Sequence, residues 1–223
     1  MPVDLTPFWL SLRVATLATV IIVLVGVPTA MLLARGRFPG KGLIAGLLVL
    51  PLVVPPTVLG YGLLLLLGRR GWIGHWLEST WGVSMVFHWS GAVLASSVAA
   101  FPMFLLPVRG AFEGVDPAME DAARLLGRGE SSVFFAVTVP LAWRGLVAGS
   151  VLAFARALGD FGATMMVAGD IPGLTQTASM AIYDAVNEND SARAGRFSLL
   201  VALVSMVAVV VAQKTIPPRG MGR

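Results

Sequence analysis

Few residues in this chain have chemistry to offer, and most of them fall in two places. Arg156 and Asp160 stand four positions apart in an otherwise apolar stretch, a spacing that lets a cation and a carboxylate pair on one helix face. Ionisable groups at membrane depth are costly and face a bundle interior or a wet cavity. Two roles stay open: a self-neutralising pair that fixes its helix, or an Arg156 that tunes the potential of an anion path. The second place is Asp116–Gly127, charged and helix-patterned between apolar stretches. Asp116 before Pro117 predicts a capped helix start, and Glu120 and Asp121 load the first turn with the charge that the helix dipole favours. Ala118, Ala122, Leu125 and Leu126 share one side of that helix, and Gly127 is its stop.

Much chemistry is excluded. The chain has no cysteine, which removes disulfides, thiol nucleophiles and iron–sulfur centres, and His75 and His88 are its only imidazoles. No metal or cofactor bound by the chain is expected. No Ser/His or His/Glu arrangement has catalytic spacing, so an intramembrane hydrolase is disfavoured. A phosphate loop of the GxxxxGK[ST] kind is missing as well, so any energised activity needs a nucleotide-hydrolysing partner.

The elements that must position these residues are membrane spans. Of 223 residues 57% are hydrophobic and 13% charged, against about 25% charged in a soluble domain. An all-α polytopic transmembrane bundle follows, a single domain over residues 1–223. Spanning a bilayer takes about 20 apolar residues. Five runs come near this, at about 10–34, 43–68, 84–108, 141–168 and 197–212, with a sixth span possible. The last is expected to extend back past Arg196. Pro51, Pro55 and Pro56 in the second run either kink a span or break a helix that lines a pathway. Gly159, Gly162 and Gly169 leave narrow surfaces for another helix, from this chain or a second subunit.

The net charge of +4 does not point to nucleic acid, because the basic residues sit at the ends of apolar runs. With the loop at about 109–140 cytoplasmic, the inner side holds Arg35, Arg37, Lys41, Arg109, Arg124, Arg128, Arg144, Lys214, Arg219 and Arg223. The outer side holds Arg69, Arg70, Arg193 and Arg196. This bias predicts an N-terminus outside and a C-terminus inside. The N-terminal MPVDLTPFWL lacks a basic start and a cleavage site, so the first run is expected to be a retained span. Beyond the tail KTIPPRGMGR no extra soluble domain is expected.

Asp121-Ala122-Ala123, three residues, Gly127, nine residues, then Val137-Thr138-Val139-Pro140 resembles the EAA loop of ABC importer permeases. That loop has Glu where Asp121 stands, and Ile and Leu for Val137 and Val139. A second segment, ALGDFGATMMVAGDIPGLTQTASMAIY from Ala157 to Tyr183, resembles the corresponding series of molybdate ABC transporter permeases, with Asp160 for a commoner Glu and Asp170 for a commoner Asn. The resemblance implies a homodimeric permease in a bacterial cytoplasmic membrane. Its coupling helix, with Glu120, Asp121, Ala122, Ala123, Gly127 and Pro140 in the coupling loop, would dock into cytoplasmic ATPase subunits that hydrolyse ATP with magnesium. A periplasmic or lipid-anchored molybdate-binding protein would deliver the oxyanion. Arg156, Asp160, Thr175, Gln176 and Thr177 are the pathway candidates, the last three offering neutral hydrogen-bonding groups near the outer mouth or simply a polar turn. Rival readings are a permease for tungstate, sulfate or thiosulfate and an ion-coupled carrier. The latter is weakened because Asp160, the one intramembrane carboxylate, lies within reach of Arg156.

Overall fold

A computed structural model describes residues 4–215 and holds eleven α-helices and one π-helical segment among them. Four stretches are long and apolar enough to cross a membrane: α1 (Thr6–Arg35), α5 (Trp89–Glu113), Glu130–Leu158 and α11 (Ser191–Thr215). The third of these joins α7 (Glu130–Val133), a π-helical segment (Phe134–Thr138) and α8 (Val139–Leu158). Helices α2 (Lys41–Val53) and α3 (Pro56–Leu67) are long enough to cross only as a pair, which is bent by 116° and forms either a broken span or a re-entrant loop. The five expected runs are thus four spanning stretches and one bent helix pair. Arg219 and Arg223, and residues 216–223 of the tail, lie outside the described residues.

Helix α5 is the centre of the bundle and packs on α8, α1, α2 and α9 (Gly162–Ala168). Its buried face is built from small residues, Ala92, Ala95, Ser96, Ser97, Ala99 and Ala100, which let neighbouring helices approach closely where lipid offers no hydrophobic drive. Phe104, Leu105, Val108 and Phe112 fill the same helix toward its other end, next to buried Val14, Ile22 and Leu33 of α1. Arg13 reaches the rim of this core, its guanidinium 4.0 Å from the ring centroid of Trp89.

The remaining helices are short. They are α4 (Trp72–Trp81), α6 (Pro117–Leu125) and α10 (Ala178–Asn187).

Three boundaries differ from expectation, each for a local reason. The second run is broken rather than kinked: Val54 and Pro55 each precede a proline, which drives both extended, and Pro56 then opens α3. The third span starts five residues late, at Trp89, because His88 is its cap and its Nδ1 accepts a hydrogen bond from Ser90 N at 3.3 Å. The fourth run is not one helix over 141–168. It ends at Leu158, with Gly159 as its cap, and α9 is a separate helix beyond Asp160. Arg156 and Asp160 therefore do not share a helix face, although they still pair. The last span reaches back past Arg196 to Ser191, as expected. Gly162 settles one packing question within the chain, since a Cβ there would come 2.9 Å from Pro56 Cβ.

Candidate functional site

Helix α6 begins and ends on local chemistry. Asp116 Oδ1 accepts from Ala118 N at 2.9 Å, and Pro117 takes the first helical position. At the other end Gly127 adopts φ +80°, where an L side chain would be strained. Gly127 N donates to Arg124 O at 2.9 Å and Arg128 N to Ala123 O at 3.2 Å, the paired bonds of a Schellman stop.

The faces of α6 are reversed with respect to an ordinary surface helix. Leu125 is 89% exposed, Leu126 82% and Met119 53%, with Ala118 and Ala122 also exposed. The buried residues are Ala123 and the acidic Glu120. Glu120 and Asp121, adjacent in sequence, thus have different surroundings. Asp121 is exposed and receives Arg124 Nη1 at 2.7 Å, and Arg124 also holds Glu130 through Nε at 2.7 Å. Glu120 points back into the bundle. Its Oε1 accepts from Arg35 Nη2 at 3.2 Å and from Thr138 Oγ1 at 2.8 Å. Pro140 sits in the first turn of α8, just after the π-helical segment.

A second polar cluster lies at the opposite end of α8. Asp160 is buried, its Oδ1 accepting from Arg156 Nη1 at 3.0 Å and its Oδ2 from Thr164 N at 3.0 Å and Thr164 Oγ1 at 2.6 Å. Because the Thr164 hydroxyl proton is spent on Asp160, Ser96 of α5 is the donor in the 3.1 Å contact between the two hydroxyls. Asp160 thus joins the end of α8 to the start of α9 and, through Thr164, to α5. Three donors surround this carboxylate.

Thr175, Gln176 and Thr177 are buried, and two of them are already engaged. Thr175 Oγ1 donates to Gly169 O at 2.9 Å and accepts from Ile171 N at 3.1 Å, closing the 169–175 loop. Gln176 Nε2 donates to Asp184 Oδ2 at 2.7 Å. Thr177 precedes α10 with a buried Oγ1 that has no hydrogen-bond partner. Ser11 of α1 accepts instead from the next amide, Ala178 N, at 2.7 Å. Thr175 thus closes the loop and Gln176 ties it to α10.

Asp170 in the same loop is held above the ordinary carboxylate range, first by burial and then by the charge of Asp184. The folded state therefore keeps this proton to higher pH than the unfolded chain does. The resulting stability is present below the unfolded pKa of about 4 and is lost as pH rises through the folded value. Asp170→Asn is expected to raise the thermal midpoint at neutral pH and to flatten its decline as pH rises above about 4. A lowered midpoint at neutral pH would show that the charge has a favourable role.

Arg35, Thr138, Thr164 and Ser96 escaped sequence reasoning. Arg35 is 85 positions from Glu120 and read only as an inner-side charge. Thr164, four residues after Asp160 in the first turn of α9, gave no sign in the apolar run that it would donate to that carboxylate.

Comparison with known proteins places these features in context. The pattern of the family described as "binding-protein-dependent transport system inner membrane component" matches residues 12–216. The molybdenum transport system permease protein ModB of Escherichia coli K12 is 46% identical over 202 residues, 89% of this chain and 88% of its own length. A putative molybdenum transport system permease protein of Bacillus subtilis, YvgM, is 37% identical over 94% of this chain and 92% of its own. Among solved structures, the inward-facing MetNI methionine ABC transporter is similar in fold, with a TM-score of 0.70 at 15% identity, covering 96% of this chain and 94% of that one.

Proposed function

The chain belongs to the family of binding-protein-dependent transport system inner membrane components, and on that premise we propose that it is the membrane permease of an ATP-driven importer of molybdate. The observation that carries this reading is α6: a helix capped at both ends that turns Leu125 and Leu126 outward, on a chain with no phosphate loop of its own. An exposed apolar knob beside charged residues suits a partner's cleft. That partner is a cytoplasmic ATPase, which hydrolyses ATP with magnesium; the permease catalyses no reaction and binds no cofactor. The N-terminus lies outside, and α6 and the C-terminus lie inside the bacterial inner membrane. Two copies enclose the pathway, and a molybdate-binding protein delivers the anion to the face that carries α9 and α10.

A dianion cannot cross hydrocarbon unaided, so the pathway must be hydrated and open to one side at a time. Arg156, about a quarter exposed and paired with buried Asp160, is the candidate charged contact for the anion there. The unengaged Thr177 hydroxyl supplies a neutral contact.

The test is molybdate uptake into liposomes holding the permease with its ATPase and binding protein. Uptake should require ATP and survive excess sulfate. Equal competition by sulfate would make the cargo a wider class of tetrahedral dianions. Uptake by the permease alone would overturn the ATP-driven reading.

A further inference from the structure

Glu120 and Asp121 stand side by side at the front of the coupling helix, yet one faces the bundle and the other the solvent. Glu120 is 3% exposed, and a single oxygen, Oε1, takes both the Arg35 and the Thr138 hydrogen bonds. The same Arg35 Nη2 also donates to Val115 O at 2.9 Å, just ahead of the Asp116 cap. Three elements therefore meet at one carboxylate: the inner end of α1, the coupling helix, and the last residue of the π-helical segment that leads into α8.

We propose that Glu120 is a positioning residue that clamps the coupling helix to the inner ends of α1 and α8, so that displacement of that helix moves both spans together.

The clamp rests on the importer reading and adds a transmission role to it. A buried ion pair is weak evidence for net stability, but it fixes geometry, because losing either partner strands the other. Thr138 occupies the join at which π-helical geometry gives way to α8. Holding its hydroxyl holds the start of α8. That helix is about 30 Å long. Its far end is fastened in a similar way, Arg156 to Asp160 and Asp160 to Thr164 of α9. A rigid helix with a carboxylate fastening at each end joins the coupling helix to α9. Contiguity alone does not establish coupling, so the test must read coupling itself.

The experiment uses the assembled permease, ATPase and binding protein in liposomes, with molybdate as the probe and molybdate moved per ATP hydrolysed as the readout. Glu120→Ala and Thr138→Val are expected to lower that ratio about fivefold or more, while the ATPase still copurifies with the permease. Thr138→Ser, which restores the hydroxyl, should return it to within about twofold of the parent. The double variant Glu120→Ala, Thr138→Val should fall no further than Glu120→Ala alone, since both remove one interaction. An unchanged ratio in Thr138→Val overturns the proposal. So does loss of ATPase copurification in Glu120→Ala, which would make Glu120 a docking residue. If Glu120→Ala fails to fold, the Thr138→Val and Thr138→Ser pair decides the matter alone. Absence of ATP-dependent uptake in the parent complex would instead overturn the importer reading.

Discussion

Replacing Leu125 and Leu126 together by lysine is expected to abolish ATP-driven molybdate uptake, by about a hundredfold or more, while the permease stays folded in the membrane. Both side chains are more than four-fifths exposed, so they add little to the chain's own packing. Lysine keeps good helix propensity and suits the C-terminal dipole of α6, so the change in stability should stay within about 0.5 kcal/mol. The lost contacts would be those with the ATPase. Apolar anchors seated in a partner's cleft typically contribute about 2 kcal/mol or more each, and two of them account for a loss of this size. Copurification of the ATPase and molybdate uptake should fall together. Unchanged copurification would mean that the ATPase docks somewhere other than this knob.

What the sequence disclosed about α6 was its local chemistry. Asp116, Pro117 and Gly127 act on neighbouring amides and carbonyls, so the start and the stop can be read without knowing the fold. The grouping of Ala118, Ala122, Leu125 and Leu126 on one side was legible for the same reason. Whether that side faces a core or a partner was not legible, because it depends on what Glu120 meets, and Glu120 meets residues 85 and 18 positions away. Membrane spans show the same division. Hydropathy locates apolar runs well, but it cannot see a helix end inside one. The run through Asp160 looks continuous, yet α8 stops at the Gly159 cap and the Asp160 carboxylate accepts from Thr164 N in the first turn of α9. At Pro55 and Pro56 the breakers were visible, whereas a bend of 116° is set by how α2 packs on α5 and α3 on α9.

The sparse charges of the bundle follow one rule that composition could not reveal. Glu120 and Asp160, both nearly inaccessible, each pair with an arginine and a threonine. Each carboxylate is held by charge-assisted donors, with an arginine beside it to balance the charge. That arrangement argues against proton relay at Asp160. A relay carboxylate must exchange its donors during the cycle, whereas this one holds two helix ends together.

The structural role of Asp160 makes the second strong prediction. Asp160→Ala strands the Arg156 guanidinium and leaves the Thr164 N–H and the buried Thr164 hydroxyl short of an acceptor. Breaking a buried pair from one side costs about 3–5 kcal/mol, and for a chain of this size that lowers the apparent thermal midpoint in detergent by on the order of 10 °C. Asp160→Asn keeps an acceptor for Thr164 but loses the charge opposite Arg156, so it should fall between the two. Adding Arg156→Met to Asp160→Ala should recover part of the midpoint, because removing the stranded cation relieves the larger share of the cost. Uptake is expected to fall in all three, since α9 loses its fastening to α8. If Asp160→Ala left the midpoint unchanged and lost only uptake, the carboxylate would act on the passing anion or its gate, and the α8–α9 fastening would not be its role.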